Sequence, residues 1–206
     1  MKRSLLIQRD SEKFCYIRKK SCEEGVIMGM KVIIKELEQS ADRIPEHQIS
    51  NLIQKIKSHK RIFVYGTGRS GLMLKALAMR LMQIGLDAYV VGETTTPSVE
   101  KGDLLIVASA SGETGSVCMT AQSAKKQGAD LIVISSAEGS TLGKIQTPDI
   151  TIESATKFST SKTSIQPLGS LFEQMLLIVF DAAVLEMSRE EPGSNDDMAK
   201  RHASLE

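Results

Sequence analysis

Two hydrophobic rhythms alternate along this chain. Near-continuous apolar runs rich in branched residues cover 61–65, 88–91, 104–108, 131–135 and 150–152, and each reads as a strand buried on both faces. Between them apolar residues recur every three or four positions. Val26, Met30, Ile33, Ile34 and Leu37 predict one helix over 26–37; Ile49, Leu52, Ile53 and Ile56 predict a second, opened by Pro45. Further helices are expected over 72–84, closed by Gly85, over 117–127, stopped by Gly128, and, short, around 140–145. Pro167 and Gly169 introduce a long one over 171–187, apolar nearly all round, which implies burial by both the sheet and another subunit. Strands alternating with helices require parallel pairing and right-handed crossovers. The predicted fold is α/β: one doubly wound domain, a five-stranded parallel sheet flanked by helices in a Rossmann-like three-layer sandwich. Residues 1–24 are charged and weakly patterned, and read as an N-terminal extension to a domain over 25–206.

Composition narrows the partners more than the fold. A chain of 206 residues suits one domain with a sizeable core. With 26 Lys+Arg against 25 Asp+Glu there is no basic field for nucleic acid, and the lack of Trp removes stacking platforms. Cys15, Cys22 and Cys118 are odd in number and lack metal-ligand spacing, so they read as reduced thiols of a cytoplasmic protein. The apolar residues behind Lys2 and Arg3 are too few for a signal segment, and no later run has the length of a membrane span. The expectation is a soluble protein with neither a membrane nor a nucleic-acid partner.

Candidate chemistry gathers in two turns at the carboxyl ends of strands, where open α/β sheets bind ligands. After the third strand come Ser109, Ala110, Ser111, Gly112, Glu113 and Thr114, then a helix. Unpaired N–H groups and the macrodipole make a helix N-terminus attractive to anions, and short hydroxyls add donors without bulk. Used only as N-caps, one or two hydroxyls would suffice; this density of Ser, Thr and Gly favours a loop for a phosphate dianion. After the first strand, Gly66-Thr67-Gly68-Arg69-Ser70-Gly71 satisfies G-x-G-x-x-G, and Glu93 has the place of a ribose acid, so a dinucleotide reading stands. The second turn has no task in that reading. Two anion-friendly turns on neighbouring strands suit one small phosphorylated ligand better.

Several segments together resemble a known family. Val64-Tyr65-Gly66-Thr67-Gly68-Arg69-Ser70-Gly71, Ala78-Met79-Arg80-Leu81-Met82, Val91-Gly92-Glu93-Thr94-Thr95-Thr96-Pro97, the Ser109 loop, Pro167-Leu168-Gly169-Ser170-Leu171-Phe172-Glu173 and Lys200-Arg201-His202 occur in order. They are similar to the 6-phospho-3-hexuloisomerases of the sugar isomerase (SIS) domain superfamily, from about residue 26 onward. Ala110, where that family usually shows glycine, and the N-terminal extension are departures. The resemblance implies reversible isomerisation of 3-hexulose 6-phosphate (D-arabino-hex-3-ulose 6-phosphate) to fructose 6-phosphate through an enediol. In the family this serves the ribulose monophosphate pathway of formaldehyde fixation. It also implies a homotetramer, and no metal or organic cofactor.

That reaction needs a base beside C2 and C3 and a donor for the oxygen charge. Glu173 is the candidate base on the resemblance, although Ser170 to Glu173 also reads as a capping box. Likewise His202 becomes a candidate acid/base or hydroxyl ligand, in its own or a neighbouring subunit's site. Ser70, Ser109, Ser111 and Thr114, with N–H groups from Gly112 to Thr114, are assigned to phosphate, and Lys162 is a weaker candidate. Arg69 suits phosphate, a sugar hydroxyl or a surface ion pair. Glu93, Thr94 and Thr95 fit a sugar pocket, with Glu93 alternatively paired to Arg69. Glu113, within the loop, should face solvent, because a carboxylate repels a phosphate. His47 and His59 read as solvated. Beside the isomerase stand a non-catalytic SIS regulatory protein that senses a sugar phosphate, needing neither Glu173 nor His202, and a nucleotide-dependent oxidoreductase.

Overall fold

A computed structural model of the chain describes residues 29–154, 164–190 and 194–204. The predicted extension over 1–24, with Cys15 and Cys22, and Lys162 lie outside the described residues. The chain falls into two units, residues 1–39 and 40–206. Of the first, residues 29–39 are described, and all lie in helix α1 (residues 29–41).

The second unit holds α2 (Glu46–Ser58), β1 (Arg61–Tyr65), α3 (Gly68–Gln83), β2 (Asp87–Val90), β3 (Leu104–Ser109), α4 (Gly115–Lys126), β4 (Asp130–Ser135), α5 (Thr141–Ile145), β5 (Ile150–Thr151), α6 (Ser170–Arg189) and α7 (Ser194–Lys200). The five strands form one parallel sheet in the order β2-β1-β3-β4-β5. β3, at its centre, is buried along its whole length, as its unbroken apolar sequence requires. Phe63, Leu105, Val107, Leu131 and Val133 point to one face and pack with Val117, Cys118, Ala121 and Leu142 of α4 and α5. The alternate residues Ile62, Val64, Leu104, Ile106, Ile132 and Ile134 are equally buried on the opposite face, where α3 packs against β1, β3 and α6. From β1 the chain turns through α3 to β2 on one side; from β3 it turns through α4 to β4 on the other. The loops leaving β1 and β3 therefore diverge at the topological switch point, the place where such sheets form a ligand crevice.

The other edge of the sheet is closed by charge. Arg61 Nε and Nη2 donate to Asp103 Oδ1 and Oδ2 at 2.8 and 2.6 Å, and Glu100 N donates to Oδ2 at 2.6 Å. Burial alone would raise the Asp103 carboxyl; the hydrogen bonds from Arg61 and Glu100 overcome it and hold the group below its ordinary 3.8. A carboxyl depressed in the folded state stabilises it fully above the unfolded pKa and loses that contribution as pH falls through the folded value. Asp103→Asn should cost about 2 kcal/mol at pH 7, less than a fully buried pair because Arg61 keeps some water. The deficit should shrink as urea midpoints of both proteins are measured below pH 4. A deficit unchanged to pH 2 would sink this account.

Among the described residues no helix is long and apolar enough to cross a membrane.

Candidate active site

The β1–α3 turn is shaped by glycine. A Cβ on Gly71 would lie 2.5 Å from the Gly66 carbonyl oxygen, and one on Gly66 would lie 2.7 Å from Leu74 Cδ1. These two glycines let α3 pack directly against the end of β1, a need independent of any dinucleotide. Gly68, at φ 58°, starts the helix itself. α3 accordingly begins four residues before the predicted Leu72, and Arg69 and Ser70 stand in its first turn.

The loop after β3 is braced from within. Gly112 N donates to Ser109 O and Oγ, both at 3.1 Å; Glu113 N donates to Ser111 Oγ at 3.2 Å; Ser109 Oγ and Thr114 Oγ1 share a hydrogen bond of 3.1 Å. It is also tied to the elements behind it. Leu142 N donates to Gly112 O at 2.9 Å and Ser136 N to Ala110 O at 3.1 Å. Glu113 is exposed, as expected, but engaged: its carboxylate accepts from Thr141 Oγ1 at 2.6 Å and Thr141 N at 2.9 Å. Those two bonds hold the Glu113 carboxyl below its usual range. With the Gly112 and Glu113 N–H groups already donated inside the loop, the N–H groups that open α4 are the ones left for an anion.

α6 starts differently from the predicted capping box. Leu168 adopts φ 57° and Gly169 is the N-cap, so Ser170 becomes the first helical residue and its Oγ donates to Pro167 O at 2.8 Å. This frees the Glu173 side chain, which is 16% exposed, to meet Arg69: Nη1 lies 3.1 Å from Glu173 Oε2 and donates to Ser170 Oγ at 3.1 Å. Arg69 thus has an ion pair, but with Glu173 and not with Glu93.

These pieces enclose one cleft of about 330 Å³, lined by residues 67–70, 108–111, 113, 114, 169 and 173. Three helix N-termini, those of α3, α4 and α6, open beside it, and none carries a side-chain cap. Their summed dipoles favour a dianion, and Ser70, Ser111 and Thr114 line the same space. Of the candidate residues, the cleft collects Arg69, Ser70, Ser109, Ala110, Ser111, Glu113, Thr114 and Glu173, and Gly112 shapes its loop.

Three candidates stand apart. Glu93 lines a different cavity, of about 390 Å³ against α4, and pairs with Lys75 at 3.0 Å. Thr94 is exposed and lines neither. His202 is exposed just beyond α7, its Nδ1 3.2 Å from Ala203 O. Its neighbour Arg201 donates to Gln83 O at 3.1 Å, at the end of α3 remote from the cleft. α7 itself escaped the sequence reading, although Asp196 and Asp197 in its first turn and Lys200 in its last complement a helix dipole. His59 departs from the solvated expectation: its ring bridges Lys55 O at 2.7 Å and Asp130 Oδ2 at 3.0 Å.

The SIS domain family model matches residues 55–182. A 3-hexulose-6-phosphate isomerase from Bacillus subtilis is 40% identical over 176 residues, 84% of this chain and 95% of that protein. Another from Mycobacterium gastri is 36% identical over 89% of this chain and 92% of its own. A crystal structure from Methanococcus jannaschii, described as inferring a molecular function of 3-hexulose-6-phosphate isomerase, superposes with a TM-score of 0.71 at 32% identity. It covers 87% of this chain and 99% of its own.

Proposed function

The chain belongs to the SIS domain family, and from that membership and its cleft we propose that it is an isomerase interconverting 3-hexulose 6-phosphate and fructose 6-phosphate. The observation that carries the reading is one carboxylate, Glu173, held at the edge of a cleft into which three uncapped helix N-termini open. Phosphate at the Ser70 and Ser111–Thr114 side anchors the sugar, with C2 and C3 toward Glu173. The carboxylate removes the C2 proton, the C2–H pair becomes the C2–C3 double bond, and the carbonyl pair moves to O3. Return of a proton to C3, with transfer of the O2 proton to O3, leaves the carbonyl at C2. One base suffices because both carbons lie on its side of the enediol.

The test is incubation with fructose 6-phosphate in heavy water, followed at C2 and C3 by NMR. Formation of the 3-ketose with solvent deuterium in carbon is expected. Saturable binding without exchange would instead make the chain a sugar-phosphate sensor.

We also place the working site between subunits of a homotetramer in the cytoplasm. α3 is 16 residues long, about 24 Å, and Arg201 is fastened at its far end. His202 therefore serves a neighbouring copy's cleft and not its own. Glu173→Gln and His202→Ala chains, each inactive alone, should regain about a quarter of wild-type activity when co-expressed, because random pairing rebuilds that share of sites. No regained activity would contradict the shared site.

A further inference from the structure

The reaction needs a group that stabilises oxygen charge as the C2 proton leaves, and phosphate contacts do not supply it. We infer that Arg69 is that group: its guanidinium donates to the enediolate oxygens while it holds the base. This rests on the isomerase reading above. Among the described residues that line the cleft, Arg69 is the one cation. The phosphate has its own donors in Ser70, Ser111, Thr114 and the helix N-termini, so the cation is not required there. Its position also assigns it elsewhere. Nη1 touches the Glu173 carboxylate at 3.1 Å, and both side chains line the cleft, which sets the guanidinium beside the group that takes the proton.

A guanidinium carries five N–H donors in a plane, and only Nη1 has a protein partner among the described residues. The side chain is 57% exposed, which leaves its remaining edge open. O2 and O3 of a cis-enediolate are spaced to accept two such donors. Because a guanidinium keeps its proton, Arg69 moves none: Glu173 carries the carbon-bound proton, and the O2 proton passes to O3. The carbonyl oxygen is neutral in the bound substrate and negative in the enediolate, so the attraction is largest after the proton has left. Such an interaction acts on kcat and leaves KM nearly alone.

Steady-state kinetics with fructose 6-phosphate, on wild type, Arg69→Gln and Arg69→Lys, separate the possibilities. Arg69→Gln should lose about 100-fold in kcat with KM changed by less than about threefold. Arg69→Lys keeps a charge for Glu173 but not the planar fork, so its kcat should recover only in part. Saturable binding of fructose 6-phosphate to Arg69→Gln shows that the variant is folded. A large rise in KM at normal kcat would make Arg69 a phosphate ligand; full recovery in Arg69→Lys would make it only a holder of Glu173; unchanged kinetics in both would leave a surface ion pair. Each of these overturns the inference. Wild type that takes up no deuterium at C3 of fructose 6-phosphate and forms no 3-ketose would sink the isomerase reading itself, whereas exchange in wild type with any of those outcomes sinks Arg69 alone.

Discussion

Glu173→Gln should lose about 10³-fold in kcat while still binding fructose 6-phosphate with near-normal affinity. The amide keeps the shape and one oxygen for Arg69 but cannot accept the proton that fructose 6-phosphate loses from C3. Two costs must be compared before a dead variant is read as lost chemistry. The Arg69–Glu173 pair is half open to solvent on the arginine side, and pairs of that kind contribute no more than about 1 kcal/mol to stability. A 10³-fold loss in rate is about 4 kcal/mol in the barrier. The rate effect therefore exceeds the stability effect, and a fluorescence or circular-dichroism melt within a few degrees of wild type should accompany it. Helix capping offers no rival explanation, since Ser170 is the first helical residue and bonds Pro167 O, leaving Glu173 outside any cap. Near-normal turnover in this variant would move the base to another residue.

Why the pairing of Glu173 with Arg69 needed the structure, while the strands did not, is a matter of distance along the chain. Burial on both faces writes itself into consecutive residues, so β1 was legible over its observed residues and β3 to within one. The Ser109 loop was legible for the same reason, because its hydroxyls and glycines are adjacent. The start of α3 was not: Gly68 to Gly71 carry no apolar periodicity, and only the close approach of Gly71 to the Gly66 carbonyl explains why the helix begins there. The capping box was a sound local inference that lost to Pro167, Leu168 and Gly169, which start the helix one residue earlier than a Ser170 cap would have. The link from Arg69 to Glu173 joins α3 to α6, and no local rule reports such a pair. Glu113 shows the same limit. Its exposure was expected, but its partner Thr141, the first residue of α5, was not. Glu93 and Thr94, adjacent in sequence to strand β2, were expected in the sugar pocket, yet β2 lies at the sheet edge, one strand away from the switch point.

The second large effect is expected at a residue without a side chain. Gly112→Ala should lower kcat/KM by about 10³-fold, mostly through weaker binding of the sugar phosphate. Gly112 has φ 64°, which costs an L-residue about 1–2 kcal/mol. Space is the larger problem. A Cβ there would lie 2.0 Å from Ser140 Oγ and 2.5 Å from Ser140 Cβ. Ser140 cannot simply turn away, since its Oγ caps α5 by accepting from Gly143 N at 3.1 Å and donates to Ala137 O at 2.7 Å. Either α5 or the loop after β3 must shift, and that loop carries Ser111, Thr114 and the opening of α4, the groups proposed above to hold the phosphate. The two contributions can be separated. Gly112→Ala combined with Ser140→Gly removes the overlap and leaves the backbone cost, while an N-cap glycine loses only a few tenths of a kcal/mol. The double variant should therefore recover most of the affinity for fructose 6-phosphate measured by titration. Recovery would identify the clash as the cause; a double variant as weak as Gly112→Ala would assign the loss to backbone strain in the loop itself.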